Sequence, residues 1–506
     1  METLKRVFDW LRRWEYSLLC LIVLIILVMH FSVIMQPNEP LFDEIHYVED
    51  ARIIISGEGS QRLEHPPLAK LFIVAGMQMF GDGPFGWRFF STVFGAAGII
   101  LMYLICRRLN LSKRVSYLAV FLLALENLSY TMGGIAMLDV FSLTFTLAAF
   151  WLYLRQNYVL SGVAVGLSAL CKLNGALAIL VIGLHWLLTT GYIDIQRLLH
   201  SLVRFVTKRE GIGYFFARLL ALIKNHWRLA LLAVAAPIAF IALMPLFDYI
   251  IWGEWMNPIS QISRMLRDTG SIVFTPDYPE ANSIASRPWE WLLPIWYGKL
   301  HWAHFILPYW WTPRFLGIIS PSITVMVIPA MIYMTIRAIK GKMDAIFPFA
   351  WFIGTYLIWI PASLITDRVS YLFDFYPAVG AVCIALAITI FKLLDAARTR
   401  GGKLRWFVAI LLPLYLLIHV YTFINLAPLS IGQTIPPYIG ISITSQSIWW
   451  AVPLCIFLYL LMLLYLGIIK IFGFGDSLTP PEAPEYTAED SPCPAENQVD
   501  MPLQQE

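Results

Sequence analysis

Two adjacent carboxylates, Asp43 and Glu44, open a polar stretch from Leu41 to Lys70 that also carries Glu49, Asp50, Glu64 and His65. The chain is 59% hydrophobic and only 14% charged, so a cluster this dense belongs at a water interface, where carboxylates beside a membrane point to function. A second set of charges, Arg88, Lys172, Arg287 and Arg368, stands near the ends of apolar runs, and Asp139 stands at the end of another. Cations in such places need anionic partners, which can be carboxylates, lipid phosphates or a phosphorylated substrate. Together the two sets can bind an anion and hold carboxylates beside it.

The elements that must position these residues are membrane-spanning helices. The 506 residues have a mean hydropathy of +0.68, and apolar runs of roughly twenty residues recur, the length needed to cross the hydrocarbon. Nucleic-acid binding is not indicated by a net charge of +3. The six cysteines, Cys20, Cys106, Cys171, Cys383, Cys455 and Cys493, fall singly, so neither a disulfide framework nor a thiolate metal site is implied.

Lys5, Arg6, Arg12 and Arg13 precede the first run, Tyr16 to Met35, and the positive-inside bias places that end in the cytoplasm. The run is too long for a signal peptide and lacks a small-residue cleavage site. The acidic stretch then lies outside, with Asp43 to Ser56 as a surface helix on which Asp43 and Tyr47 share a face, as do His46 and Asp50. Leu68 to Phe80 is too short to cross and is expected as a second surface or re-entrant helix.

Spans are then expected at Phe85 to Cys106, Tyr117 to Tyr130 and Asp139 to Tyr153. Tyr158 to Leu188 is expected as two short crossings with Lys172 at the outer turn, because that keeps the basic region from Arg197 to Arg228 inside. Leu229 to Ile251 leads to an outer segment of about fifty residues, which includes SRPWEW and an aromatic run from Trp296 to Trp311 suited to an interfacial belt. Further spans are Pro321 to Ile336, Ala345 to Ile360, Tyr371 to Leu394, Trp406 to Leu426 and Ile448 to Phe472. This gives an all-α polytopic protein with about twelve crossings and both ends cytoplasmic. One transmembrane domain is expected over 1–474, with outer loops at 41–83 and 252–318, and a Pro- and Glu-rich tail, 475–506, is expected to be disordered.

DEIHY at Asp43, EHPPLAK at Glu64, WRFFSTVFGA at Trp87, MLD ending at Asp139, SRPWEW at Ser286 and RVSYLFDFYPAV at Arg368 resemble the protein O-mannosyltransferase family. The resemblance implies a GT-C glycosyltransferase fold with outer juxtamembrane helices and a polyprenyl-phosphate sugar as donor. It puts Asp43 in the place of the catalytic aspartate, Glu44 beside it toward the acceptor and Arg88 on the donor phosphate. Glu64 and His65 match the acid-histidine pair before the prolines. The large soluble MIR domain of eukaryotic members has no counterpart in the outer loop, so the chain looks like a bacterial or archaeal member.

Physically, the departing phosphate needs a cation cluster, and Arg88, Lys172, His65 and Arg368 are the candidates, with Tyr371 a donor contact. A Ser or Thr hydroxyl must lose its proton to a carboxylate. At a reference pKa of about 3.9, Asp43 is too weak to ionise an alcohol beforehand and would act late, in a single displacement with inversion. Tyr47 and Asp139 are further acceptor-side candidates. Plainer roles exist for several of these residues. Lys172 can snorkel from a helix end, Arg287 can pair with Glu290 or stack on tryptophan, and Arg368 and Tyr371 can anchor at the interface. Pro66 and Pro67 can simply start a helix, and His301 and His304 lack the carboxylate of a metal site.

The expected partners are the lipid-linked sugar, an acceptor protein or glycolipid, the bilayer and, in a dimer, a second copy. No tightly bound cofactor is expected and no residue is assigned as a metal ligand, while dependence on a metal ion is left open by the sequence; the site is placed on the outer face of the cytoplasmic membrane. An aminoarabinose-type transferase acting on lipid A or another glycan is the alternative within the fold. Such enzymes usually carry lysine before the paired prolines, where this chain has His65. A transporter would need an internal repeat and midplane ionisable sites, which the sequence lacks.

Overall fold

The computed structural model describes residues 14–191, 196, 198–203, 212–274, 285–292, 295–296, 299–300, 305–306 and 315–428. Outside them lie Lys5, Arg6, Arg12, Arg13, Arg197, Arg204, Lys208, Arg209, His301, His304, most of the aromatic run from Trp296 to Trp311, the expected crossing from Ile448 to Phe472, and the tail.

Helix α1 (Trp14–Val33) is followed by two short helices, α2 (Glu44–Ser56) and α3 (Leu68–Phe80), and then by α4 (Pro84–Arg108). Next come α5 (Lys113–Ala124), α6 (Asn127–Gly134), α7 (Leu138–Leu154), α8 (Tyr158–Cys171) and α9 (Leu177–Trp186). The second half contains α10 (Ile212–Trp252), α11 (Pro258–Gly270), α12 (Pro321–Ile339), α13 (Met343–Phe352), α14 (Trp359–Thr366), α15 (Tyr376–Arg400) and α16 (Gly402–Leu426). Two-residue strands pair antiparallel, Ile295–Trp296 with Lys299–Leu300 and Phe305–Ile306 with Leu316–Gly317.

Among the described residues eight helices are long and apolar enough to cross a bilayer, nine if α5 and α6, bent by 61°, form one span. Helices α3, α7 and α8 are apolar but shorter. The chain is a multi-pass membrane protein.

Local sequence sets the boundaries around the polar stretch. Helix α2 ends where Gly57, at a φ of +83°, lets its N–H reach Ile54 and that of Glu58 reach Ile53, a left-handed stop that suits glycine. Helix α4 starts on Pro84, whose missing N–H costs nothing at a first turn, and ends on Arg107 and Arg108 beside its negative pole. The expected break in the segment from Tyr158 occurs at Lys172, followed by a 3₁₀ turn, Leu173–Ala176. Helices α8 and α10 pack together through Gly162 and Gly166, where an added Cβ would meet the Leu232 and Ala236 carbonyl oxygens at 2.6 and 2.8 Å. Small residues four apart permit that approach.

Two expectations differ. Helix α10 begins at Ile212, not Leu229, and takes Arg218, Lys224 and Arg228 onto the same 41-residue helix. At 1.5 Å per residue that helix is about 60 Å long, twice a hydrocarbon core, so its charged end need not terminate it. The outer segment contains α11, whose Asn257 side chain caps the Ile259 N–H at 2.9 Å ahead of Pro258 at the first helical position. Its apolar residues Ile259, Ile262, Met265 and Leu266 have helical spacing, a signal obscured by the Trp-, Pro- and Asp-rich surroundings.

Candidate active site

Arg88 sits one turn inside α4 and is fully buried, as is Glu44 at the start of α2. Its Nε and Nη2 donate to the two Glu44 carboxylate oxygens at 2.9 and 2.8 Å, a bidentate pair. The remaining donors reach the carbonyls of Ile34, Gln36, Pro37 and Glu39 at 3.0 to 3.1 Å. Glu44 also accepts from the backbone N–H groups of Leu41 at 2.8 Å and Ala136 at 2.9 Å. One ion pair therefore ties the exit of α1, the start of α2, α4 and the turn before α7. This differs from the sequence expectation. Arg88 has no donor or exposed surface left for a phosphate, and Glu44 has none for an acceptor.

What the clamp positions are its neighbours in sequence, Asp43 and Asp139. Asp43 is half-buried, and among the described residues its carboxylate makes no hydrogen bond or ion pair. Lys172, at the break after α8, donates to both oxygens of Asp139 at 2.7 and 2.9 Å and lies 4.7 Å above the Phe373 ring. Burial raises the Asp43 pKa above the ordinary carboxylate range, and Asp139 adds to the rise, while Lys172, His46 and Arg62 oppose it. Asp43, Asp139 and Lys172 are thus brought into one electrostatic neighbourhood, with the free carboxylate beside the cation.

His65 and Tyr47 close one side, with His65 Nε2 3.3 Å from the Tyr47 hydroxyl and the rings edge to face. Burial first, then Lys172, Lys70, Arg368 and Arg62, holds the His65 pKa well below the usual histidine range. The ring is therefore neutral near pH 7, and any contribution to binding a phosphate is an N–H donor without charge. Tyr47 is only 3% exposed and its phenol is held protonated, chiefly by burial. Asp139 is likewise 3% exposed. Both support their neighbours more than they present a surface to an acceptor. Glu64 is partly exposed, and its carbonyl accepts from Thr269 Oγ1 on α11 at 3.4 Å.

The opposite wall is a backbone pairing. Segment 272–274 runs antiparallel to 367–369, and Ala285 and Ser286 pair with Ser370 and Tyr371. Arg368 is half-buried, its guanidinium 6.0 Å from the Trp359 ring, and its buried Nε has no partner among the described residues. Tyr371 stacks on Phe373 at 5.1 Å, the ring that also faces Lys172. Arg287 is occupied elsewhere: it donates to Asp367 at 2.6 Å and Ser363 at 3.1 Å and lies 4.1 Å over Phe274. It pins the wall together.

The sequence did not single out three other features. Asp50 and Lys70 form a buried pair, Arg62 reaches His46, and Asp374 lies near enough to feel both Lys172 and Arg368. Among the described residues no three His, Cys, Asp or Glu side chains are grouped to hold a metal.

Residues 82–242 match the family described as Dolichyl-phosphate-mannose-protein mannosyltransferase. The chain is similar to the Polyprenol-phosphate-mannose–protein mannosyltransferase of Corynebacterium glutamicum, 23% identical over 85% of this chain and 93% of that protein. It is similar also to the Mycobacterium tuberculosis protein of the same name, 31% identical over 28% of each. The Saccharomyces cerevisiae protein O-mannosyltransferase Pmt1-Pmt2 complex bound to the sugar donor superposes with a TM-score of 0.57 at 13% identity, over 83% of this chain and 90% of that one. The shared fold is GT-C.

Proposed function

The chain belongs to the protein O-mannosyltransferase family of GT-C membrane glycosyltransferases, and from that premise we propose that it transfers mannose from a polyprenyl-phosphate donor to a Ser or Thr hydroxyl of a protein. The observation that carries this reading is the unpartnered Asp43 carboxylate beside Lys172. The hydroxyl oxygen bonds to the anomeric carbon as the bond from that carbon to the phosphate oxygen breaks. The hydroxyl proton goes to Asp43, and the polyprenyl phosphate leaves with the electron pair. Attack from the face opposite the phosphate inverts the anomeric centre.

Lys172 and Arg368 are the cations for the departing phosphate, with the neutral His65 ring as a hydrogen-bond donor and Tyr371 at the edge of the donor site. The positive-inside argument supports a reaction on the extracytoplasmic face of the cytoplasmic membrane. The test is to incubate membranes containing the chain with radiolabelled polyprenyl-phosphate mannose. Label in protein, released by β-elimination, is expected; label confined to glycolipid would replace a protein acceptor with a lipid or glycan one.

Two further results are expected. Lys172→Met removes one charge-assisted contact and raises the donor KM about tenfold or more. An unchanged donor KM would take Lys172 out of phosphate binding. The base must also be ionised to act. Because burial raises the pKa of Asp43, transfer falls off on the acid side at a pH above that of an ordinary carboxylate, and stays high above that limb. A kcat/KM profile whose acid limb lies at or below about 3.9 would mean that some other group is the base.

A further inference from the structure

The loop between α2 and α3 carries His65 into the site, and it is held from beneath by a pair that the transfer itself does not use. Lys70 Nζ and the Asp50 carboxylate are 3.3 Å apart and almost completely buried. Asp50 accepts from Ser60 Oγ at 2.8 Å and from the backbone N–H groups of Gln61 and Arg62 at 2.6 and 3.1 Å. Lys70 donates to Ser60 Oγ at 2.7 Å and to the Arg62 carbonyl. Arg62 is therefore gripped on both sides of its backbone by one buried ion pair.

Its side chain is not buried. The side chain is 37% exposed, and its guanidinium directs Nη2 to His46 Nδ1 at 2.5 Å and stands 3.8 Å from Glu64, beyond hydrogen-bond length. Of its five N–H groups, that leaves four without a hydrogen bond among the described residues. Its charge reaches Asp43, Tyr47 and His65 together. A cation with free donors, fixed in backbone and open to water beside the base, is placed to hold something that arrives from the aqueous side.

Building on the reading above, we propose that Arg62 is an acceptor-binding residue. Its guanidinium donates to main-chain carbonyls flanking the reacting Ser or Thr, and the Asp50–Lys70 pair is the positioning device that presents it. Main-chain carbonyls fit better than the donor phosphate. Glu64 stands beside Arg62 and would repel a phosphate, whereas it leaves neutral amides unopposed. Carbonyl recognition also carries no side-chain preference, so Arg62 would orient many acceptor sequences equally.

The test uses the purified full-length chain, polyprenyl-phosphate mannose and a Ser-containing peptide, with donor and peptide varied separately. Arg62→Ala should raise the peptide KM about tenfold while donor KM and kcat stay within about twofold, and Arg62→Lys should recover part of the loss. Lys70→Met should raise the peptide KM in the same direction. Since that variant can fail to fold, the exposed Arg62 variants decide. Peptide affinity measured on Asp43→Asn protein, where no transfer intervenes, should fall by the same factor. A rise in donor KM, a fall in kcat alone, or no change would each overturn the assignment. Absence of transfer to peptide by the unaltered chain would instead remove the transferase reading itself.

Discussion

Asp43→Asn is expected to lower the rate of sugar transfer about a thousandfold, or about 4 kcal/mol in the barrier, while donor binding and folding stay close to the unaltered protein. Asparagine keeps the shape and removes the capacity to take a proton. The carboxylate makes no hydrogen bond or ion pair among the described residues, so no structural contact is lost with it. Its charge is disfavoured by burial and by Asp139, and favoured by Lys172, His46 and Arg62, so stability should change little in either direction. Asp43→Glu keeps the base and moves it by about one bond length, a displacement that costs roughly a hundredfold. The measurement is a single-turnover rate at saturating donor, with thermal unfolding alongside. Transfer by Asp43→Asn within tenfold of the unaltered rate would assign proton removal elsewhere.

That expectation rests on a stretch the sequence exposes readily. Charge density from Leu41 to Lys70 stands out against an apolar chain, and helix punctuation at Gly57, Pro67 and Pro84 is local chemistry, so α2, α3 and the start of α4 fall close to their expected places. Lys172 at a helix break is legible for the same reason, because a lysine inside an apolar run demands a partner. Which partner is a different matter. Asp139 lies 33 residues away, and only the packing of α7 against α8 brings it within 2.7 Å.

The same limit explains what sequence reasoning assigned differently. An arginine at an outer helix end can meet a phosphate or a carboxylate equally well, and the choice for Arg88 is made by Glu44, 44 residues distant, together with four carbonyls following α1. Asp50 and Lys70 were visible as charges, yet their pairing depends on the loop folding back across α2. Long-range partners in a chain with many charges near one surface are fixed by tertiary geometry. Residue type alone establishes only that each needs one.

Arg88→Ala is accordingly expected to act first on the fold. Removing one member of a fully buried, hydrogen-bonded ion pair leaves Glu44 uncompensated and four carbonyls without their donor, and such breaks cost about 3–5 kcal/mol. Against total stabilities of about 5–15 kcal/mol, that loss would lower the thermal midpoint sharply and reduce the yield of folded protein. Activity should fall with it, because the clamp sets Asp43 and the turn before Asp139 in place together. Glu44→Gln should be milder, since the amide oxygen can still accept from Arg88. In the double variant with Arg88→Met the two effects should not add, because neither leaves the other charge stranded. Lys172→Met supplies the contrast: its loss should appear chiefly in donor use, with a smaller loss of stability because the buried Asp139 carboxylate is left without its cation. If Arg88→Ala kept the thermal midpoint of the unaltered protein and lost only donor affinity, Arg88 would face the phosphate after all, and the clamp would not be what holds the two carboxylates together.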